Sequence, residues 1–516
     1  MVLEWLKKQY NQVVKSTSLI LITTIFLLAI LIRFLYFPNN INFAYDQARD
    51  SFTSLDILKG DFKILGPPTT AGDKIFHGAL VYYVLAPIYF FTDNNPEAAA
   101  AIFRIINALG VFLVFYIGTI IFNKQVGIVS ALFFAISFEQ SQFSLFFGHP
   151  ALGVFTILIF YLGLAMWIFR DNPKGFIIAL AGLGLTIQFE DANIPLILLL
   201  IIFMLFFHQK LKLLSLKTFI VGVSVFLLSI STFILAEIKY SFRMSEAIID
   251  IILKMNGSPS AHGNLFKVMG RFVNDNILSI QTLVPLILLI ICVSIIVLIK
   301  QKTWKKQIIF LSLWFFGGLS THILNPNFTY YYSPGATVGL LILVAFLIYS
   351  IYQKQKILAV LMLTTIILSN MFSIINENIK GPNSDIVIQS GMLTRDQRYI
   401  LDYIYEKSNK ENFSVNALTV PLNIKTTWDY QFTWYGKNKY GYLPVWGGVA
   451  ADGYKGYLDV VSDRSKLPAK RFTIIEPTVG IGVEHIEEFF RIENYFTKVI
   501  EEKRFGAITV QTREPF

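Results

Sequence analysis

The sequence predicts a mainly α-helical, polytopic membrane protein with about 11 transmembrane helices and a C-terminal extracytoplasmic α/β domain. Three observations carry that prediction. Apolar runs of about 18 residues or more, the length a helix needs to cross hydrocarbon, recur between residues 17 and 375. Basic residues collect in alternate connections between those runs, as the positive-inside rule requires of a multi-span chain. From about Thr394 the character changes: charge rises, and short runs such as RFTIIEP (471–477) and GAITVQT (506–512) read as strands.

Composition narrows the function classes. The chain has 516 residues, 54% of them hydrophobic and 15% aromatic. Its net charge of +10 does not point to nucleic acid, because most basic residues outside the tail stand in short clusters beside apolar runs, where they set topology. The single cysteine, Cys292, lies inside an apolar run, which rules out an intramolecular disulfide and a Cys-based zinc centre. The sequence contains no HExxH, no glycine-rich phosphate loop and no internal repeat.

Spans are expected at about 17–37, 97–122, 125–143, 150–169, 175–190, 192–208, 216–236, 278–300, 307–324, 334–352 and 356–375. Lys7, Lys8 and Lys15 precede the first, which lacks a small-residue cleavage site and reads as an uncleaved anchor. Lys124, the pair Arg170 and Lys174, the group Lys210 to Lys217, the group Lys300 to Lys306, and the pair Lys354 and Lys356 then share one side, the cytoplasmic one. The other side receives the outer loop 38–96, a turn near Gly148 and Pro150, Glu190 with Asp191, the loop from Glu237 to Asn276, and Asn325 to Tyr332. An odd number of spans also leaves the tail outside. The expected division is a membrane domain, 1–380, and a soluble domain, 381–516, in a plasma membrane with the N-terminus cytoplasmic.

The outer loop holds the densest group of ionisable residues. DQARDSFTSLDILKG (46–60) has apolar residues at helical spacing and ends at a glycine, so it reads as a surface helix with Asp46, Arg49 and Asp50 on one face. A carboxylate pair there suits a general base toward a hydroxyl, or a divalent metal; it suits equally a helix cap and an ion pair. The aromatic stretch Phe76 to Phe91 is expected as an interfacial helix, with an additional span as the alternative.

Asp73 and Lys74 complete the loop's charged group; Lys74, His77 and Arg104 are cations of the kind a phosphate leaving group needs, although Arg104 also fits a snorkelling anchor. Gln188, Glu190 and Asp191 interrupt one apolar run, and Glu139 and His149 flank another; these are expected to line a cavity. His322, Tyr330, Tyr331 and Tyr332 form either an aromatic belt or a contact for a lipid-linked donor. The aromatics from Trp428 to Tyr457 form either a packed core or a sugar-stacking surface.

The run YDQARD (45–50), then GDF (60–62), GPP (66–68), IFHGALVYY (75–83) and RIINA (104–108), resembles GT-C glycosyltransferases of the protein mannosyltransferase and aminoarabinose transferase kind, including the RgtA/B/C/D-like set. The likeness is motif-specific over about 43–150 and extends in layout over roughly the first 350 residues. It implies an inverting enzyme that moves a sugar from a polyprenyl-phosphate donor to a lipid, glycan or protein acceptor on the outer membrane face. It implies Asp46 as general base or acceptor orienter, supported by Asp50. It places His77 where some relatives carry a basic contact to the donor phosphate. The second acid of many relatives is missing from FGHP (147–150), which leaves Glu139 or Glu190 as substitutes. No cofactor is certain and a divalent metal is left open. The alternatives are a lipid-linked glycan polymerase or ligase, a lipid or sugar flippase, and a structural sensor.

Overall fold

The computed structural model describes residues 16–69, 74–255, 262–320, 322, 332–384, 386–387 and 389–516. After α1 (Ser16–Arg33), the outer loop folds as α2 (Tyr45–Leu58), a hairpin of β1 (Leu65–Pro68) and β2 (Phe76–Gly78), and α3 (Leu80–Phe91). The expected surface helix is present and starts at Tyr45, with Gln47 Oε1 accepting from Ala44 N at 3.1 Å to close its first turn. α3 has 12 residues, so it is about 18 Å long and falls short of a hydrocarbon core of about 30 Å. One side of it is buried while Phe90 and Phe91 are exposed, which suits an interfacial helix rather than an added span.

The apolar part continues through α4 (Pro96–Ile121), α5 (Lys124–Ile136), α6 (Phe138–Leu145), α7 (His149–Phe169), α8 (Lys174–Phe189), α9 (Leu196–Phe206), α10 (Leu216–Ser229), α11 (Ser231–Lys239), α12 (Arg243–Met255), α13 (His262–Asn274), α14 (Val284–Lys300), α15 (Lys305–Gly318), α16 (Ala336–Tyr352) and α17 (Lys356–Glu377). A helix stands at every expected span. Among the described residues four are long and apolar enough to cross a membrane alone, or up to six if each bent pair is one span. The bend between α5 and α6 is 51°, and that between α10 and α11 is 62°. Ser137 makes the first bend: its hydroxyl accepts from Gln140 N at 3.1 Å, which starts a new helix where the old one stops.

α7 and α8 are antiparallel neighbours joined by a short turn. A Cβ on Gly182 would collide with the backbone of Phe160, and one on Gly163 with the backbone of Ala179. Small residues therefore let the two backbones approach closely, as in helix pairs within membranes. The pairing fixes the start of α7, at His149, beside the end of α8, at Phe189 and Glu190.

The last part of the chain is α/β. α18 (Thr394–Ser408), α19 (Thr426–Gln431) and α20 (Val483–Phe496) accompany β3 (Phe413–Leu418), β4 (Val445–Trp446), β5 (Lys470–Ile475), β6 (Thr497–Phe505) and β7 (Ile508–Pro515). The strands form one sheet in the order β4-β3-β5-β7-β6. β3 runs parallel to β4 and β5, whereas β7 is antiparallel to β5 and β6. Every residue of β3 is buried, as a central strand demands. Trp428 and Trp446 are fully buried in this core, so the tryptophans of the aromatic stretch pack, while Tyr454 and Tyr457 of the same stretch are exposed.

The α/β part is tied to the outer loop by backbone. Phe43 N donates to Met392 O at 2.7 Å and Thr394 N donates to Ile41 O at 2.9 Å. The Gln397 amide donates to Phe43 O at 2.6 Å. Tyr430 packs on Phe43 and Phe52 and donates its hydroxyl to Asn94 O at 2.6 Å.

Replacing Gly182 with Leu is expected to push α7 and α8 apart at a cost of about 1–3 kcal/mol. A thermal melt of the purified protein checks this; an unchanged Tm would show that the close approach at Gly182 carries no weight.

Candidate functional site

The first turn of α2 presents Asp46, Arg49 and Asp50 together, as helical spacing requires. Arg49 Nη1 donates to Asp46 Oδ1 and Arg49 Nε to Asp50 Oδ1, both at 2.8 Å. The Asp46 side chain is 47% exposed and that of Asp50 only 4%. The two carboxylates therefore have different work available to them: Asp46 can meet a solute, and Asp50 cannot. Burial pushes the Asp50 carboxyl up, and Arg49 beside it opposes that rise. The guanidinium also lies 5.3 Å from the Tyr45 ring centre. Tyr454, from the α/β part, meets Tyr45 edge-on at 6.0 Å.

Behind this face lies a second, buried cluster. β2 delivers His77, the start of α7 delivers His149, and the end of α8 delivers Glu190 and Asp191. His77 Nδ1 stands 2.6 Å from Asp191 Oδ1 and 3.9 Å from Glu190 Oε1. His149 Nδ1 is 2.8 Å from Phe189 O and 3.5 Å from Glu190 Oε2. The two imidazole rings lie 3.9 Å apart.

Local backbone explains how His77 reaches this position. β1 and β2 pair antiparallel between Leu65 and Gly78, and a Cβ on Gly78 would overlap the Gln188 amide. Only a bare backbone fits between His77 and the end of α8. Gln188 is held in turn by Thr232, donating to its hydroxyl at 2.7 Å and accepting from it at 3.1 Å.

The remaining candidates fall elsewhere. Lys74 is exposed at the foot of the hairpin. Arg104 is fully buried, donates to Arg33 O at 2.8 Å and Asn40 Oδ1 at 2.9 Å, and lies 5.0 Å from the Phe37 ring centre. These contacts anchor the chain as it leaves α1, and they do not gather Arg104 with Lys74 and His77. Glu139 is fully buried, accepting from Asn276 at 2.7 Å and from Thr337 at 2.6 Å. It joins α6 to the neighbouring helices rather than to the His77 cluster. His322 is buried with Nε2 2.9 Å from Ser333 Oγ. Tyr330 and Tyr331, like Asp73, lie outside the described residues.

Two residues of interest were not placed by the sequence. Tyr454 belongs to the aromatic stretch Trp428 to Tyr457, but nothing in its spacing links it to Tyr45. Arg271 of α13 acts electrostatically on both Glu139 and His322, although it belongs to an amphipathic helix whose other charges look ordinary.

Comparison with known proteins bears on the fold. Residues 77–235 match the family model for dolichyl-phosphate-mannose-protein mannosyltransferase. Apo ArnT from Cupriavidus metallidurans superposes with a TM-score of 0.61 at 11% identity, covering 96% of this chain and 98% of that one. The same protein solved with undecaprenyl phosphate bound gives a TM-score of 0.59 at 11% identity, with 96% and 98% covered. The Archaeoglobus fulgidus oligosaccharyltransferase, solved in complex with Zn and sulfate, gives 0.51 at 13% identity and covers 77% of this chain. This chain spans 60% of that oligosaccharyltransferase's length. No curated protein sequence matches the chain. The chain therefore has the fold of ArnT, a GT-C membrane glycosyltransferase, and matches the mannosyltransferase family model over residues 77–235. The likeness to ArnT runs almost from end to end of both chains.

Arg49→Met removes the cation from a nearly buried carboxylate and is expected to cost about 3–5 kcal/mol. Adding Asp50→Asn to that variant is expected to recover most of the loss, as read from thermal melts of the single and double variants. Equal instability of both would show that Arg49 acts through packing alone.

Proposed function

We propose that this protein is an integral-membrane glycosyltransferase that moves a sugar, with inversion, from a polyprenyl-phosphate donor to an acceptor hydroxyl at the outer membrane face. The observation that carries this reading is the half-exposed Asp46, oriented by Arg49 and backed by the buried His77–Glu190 cluster. Its carboxylate accepts the acceptor's proton while the hydroxyl oxygen bonds to the sugar's anomeric carbon and the bond to the lipid phosphate breaks. A single displacement on the face opposite the phosphate inverts the centre. The leaving phosphate develops charge that a cation must meet. Lys74 and His77, on the hairpin beside α2, are assigned to it, and the lipid phosphate bound by the ArnT relative supports a ligand of this class.

The acceptor side is assigned to Asp46 with Tyr45 and Tyr454. Tyr454 is 45% exposed, and an open phenol ring beside a carboxylate suits a sugar, whose apolar face stacks while its hydroxyls bond. Orientation follows from the charge pattern: N-terminus cytoplasmic, α/β part outside. A flippase is the second reading, and the two bent helix pairs are the feature that favours it.

The test is sugar transfer by purified protein reconstituted with polyprenyl-phosphate-linked sugars. Asp46→Asn is expected to lower transfer by about 10²–10⁴-fold with the thermal melt unchanged. Movement of intact lipid-linked sugar across the bilayer without transfer would favour the flippase. In the same assay Tyr454→Ala is expected to raise the acceptor KM by about tenfold, the equivalent of about 1.4 kcal/mol, while kcat changes little. A fall in kcat with unchanged KM would remove Tyr454 from acceptor binding.

A further inference from the structure

We infer that Asp429, in α19, positions the loop that carries Tyr454 and so sets how tightly the acceptor is held. The inference rests on the reading of Asp46, Tyr45 and Tyr454 as the acceptor side. Between β4 and the buried Leu458 the chain leaves the α/β core as a loop, and residues 454–457 of that loop reach α2. Tyr454 meets Tyr45 edge-on at 6.0 Å, Lys455 Nζ forms an ion pair with Asp56, and Lys59 Nζ donates to the Tyr457 hydroxyl at 2.9 Å. The Tyr457 ring also meets Phe52 edge-on at 5.4 Å. These side chains are exposed, and exposed ion pairs contribute little. The loop needs an anchor beneath it.

Asp429 supplies that anchor. Its side chain is fully buried, Oδ1 accepts from Tyr457 N at 2.6 Å, and Oδ2 accepts from Leu458 N at 2.9 Å. Lys425, one turn earlier, forms an ion pair with Oδ2. A carboxylate that accepts two successive N–H groups fixes the backbone itself, and such charge-assisted bonds are about twice as strong as neutral ones. Thr426 Oγ1 donates to Lys455 O at 2.9 Å, and Ala451 N donates to Asn423 O at 2.9 Å on the other limb of the loop. A Cβ on Gly456 would stand 2.2 Å from Asp429 Oδ2, so only a bare backbone lies this close to the carboxylate.

The next residue of α19 faces the outer loop. Tyr430 packs on Phe43 and Phe52. One short helix therefore sets the register: Tyr430 fixes it to the outer loop, and Asp429 fixes the Tyr454 loop to it. Asp429 is a positioning residue, acting through the amides of Tyr457 and Leu458. Its loss frees Tyr454 from Tyr45 and leaves Asp46 with Arg49, which separates acceptor binding from the chemical step.

Asp429→Asn and, from the loop side, Gly456→Ala are compared with wild type in the reconstituted transfer assay and by limited digestion with a lysine-specific protease. Each is expected to raise the acceptor KM about tenfold, while kcat and the donor KM change little. Asp429→Asn combined with Tyr454→Ala is expected to be no worse than Tyr454→Ala alone, because both remove the same contact. Cleavage after Lys455 requires the loop to open locally, and it is expected to quicken in both variants with no sugar donor present. With wild type active, an unchanged acceptor KM, additive effects in the double variant or cleavage at the wild-type rate overturns the inference and leaves the reading of the site standing. Absence of transfer by wild type overturns that reading, and the inference with it. Gly456→Ala keeps every buried side chain, so the outcome does not depend on the folding of Asp429→Asn.

Discussion

One guanidinium organises the outer face. Arg49 holds a carboxylate on either side of it along α2, one open and one buried. A buried carboxylate is tolerated only with a compensating charge or donor, so Asp50 can occupy the inner side of α2 because Arg49 is there. The same cation lies against the Tyr45 ring, which in turn meets Tyr454. The helix, the acidic pair and the contact with the α/β part thus depend on one side chain that cannot lose its charge at ordinary pH.

The features legible in the sequence were those governed by local period and length. Apolar run lengths gave the helices, and the spacing of Asp46, Arg49 and Asp50 gave their common face. Strand-like alternation gave the α/β part. The helices shorter than a full span were not separable from spanning ones, because a kink at a residue such as Ser137 leaves hydropathy unchanged. Convergence of distant segments was equally hidden. His77, His149 and Glu190 were assigned to three different groups along the sequence, and only the packing of α7 on α8, with β2 laid against the end of α8, joins them.

Arg104 shows why a cation at a membrane surface is hard to assign from sequence. Its acceptors are the carbonyl of Arg33 and the side chain of Asn40, neither of them an acid. Arg33 itself is fully buried and donates to Asn107 Oδ1 and to the carbonyls of Phe134 and Ala135. Carbonyls at helix ends carry partial negative charge and leave no trace in composition. Both arginines close the ends of helices where an acid would otherwise be expected.

The hydrogen-bonded pairing of residues 41–43 with residues 392–394 has a consequence for the order in which the protein is made. Synthesis runs from the N-terminus, so α2 leaves the ribosome before Met392, Gln397 and Tyr430 exist. Throughout that interval the face of α2 that carries Phe52 lacks its cover, and the backbone of Phe43 lacks its partner. A chain interrupted before the α/β part would contain every helix of the apolar bundle and both carboxylates of α2, yet lack the element that sets α2 in place. Completion of the outer centre is therefore coupled to completion of the polypeptide.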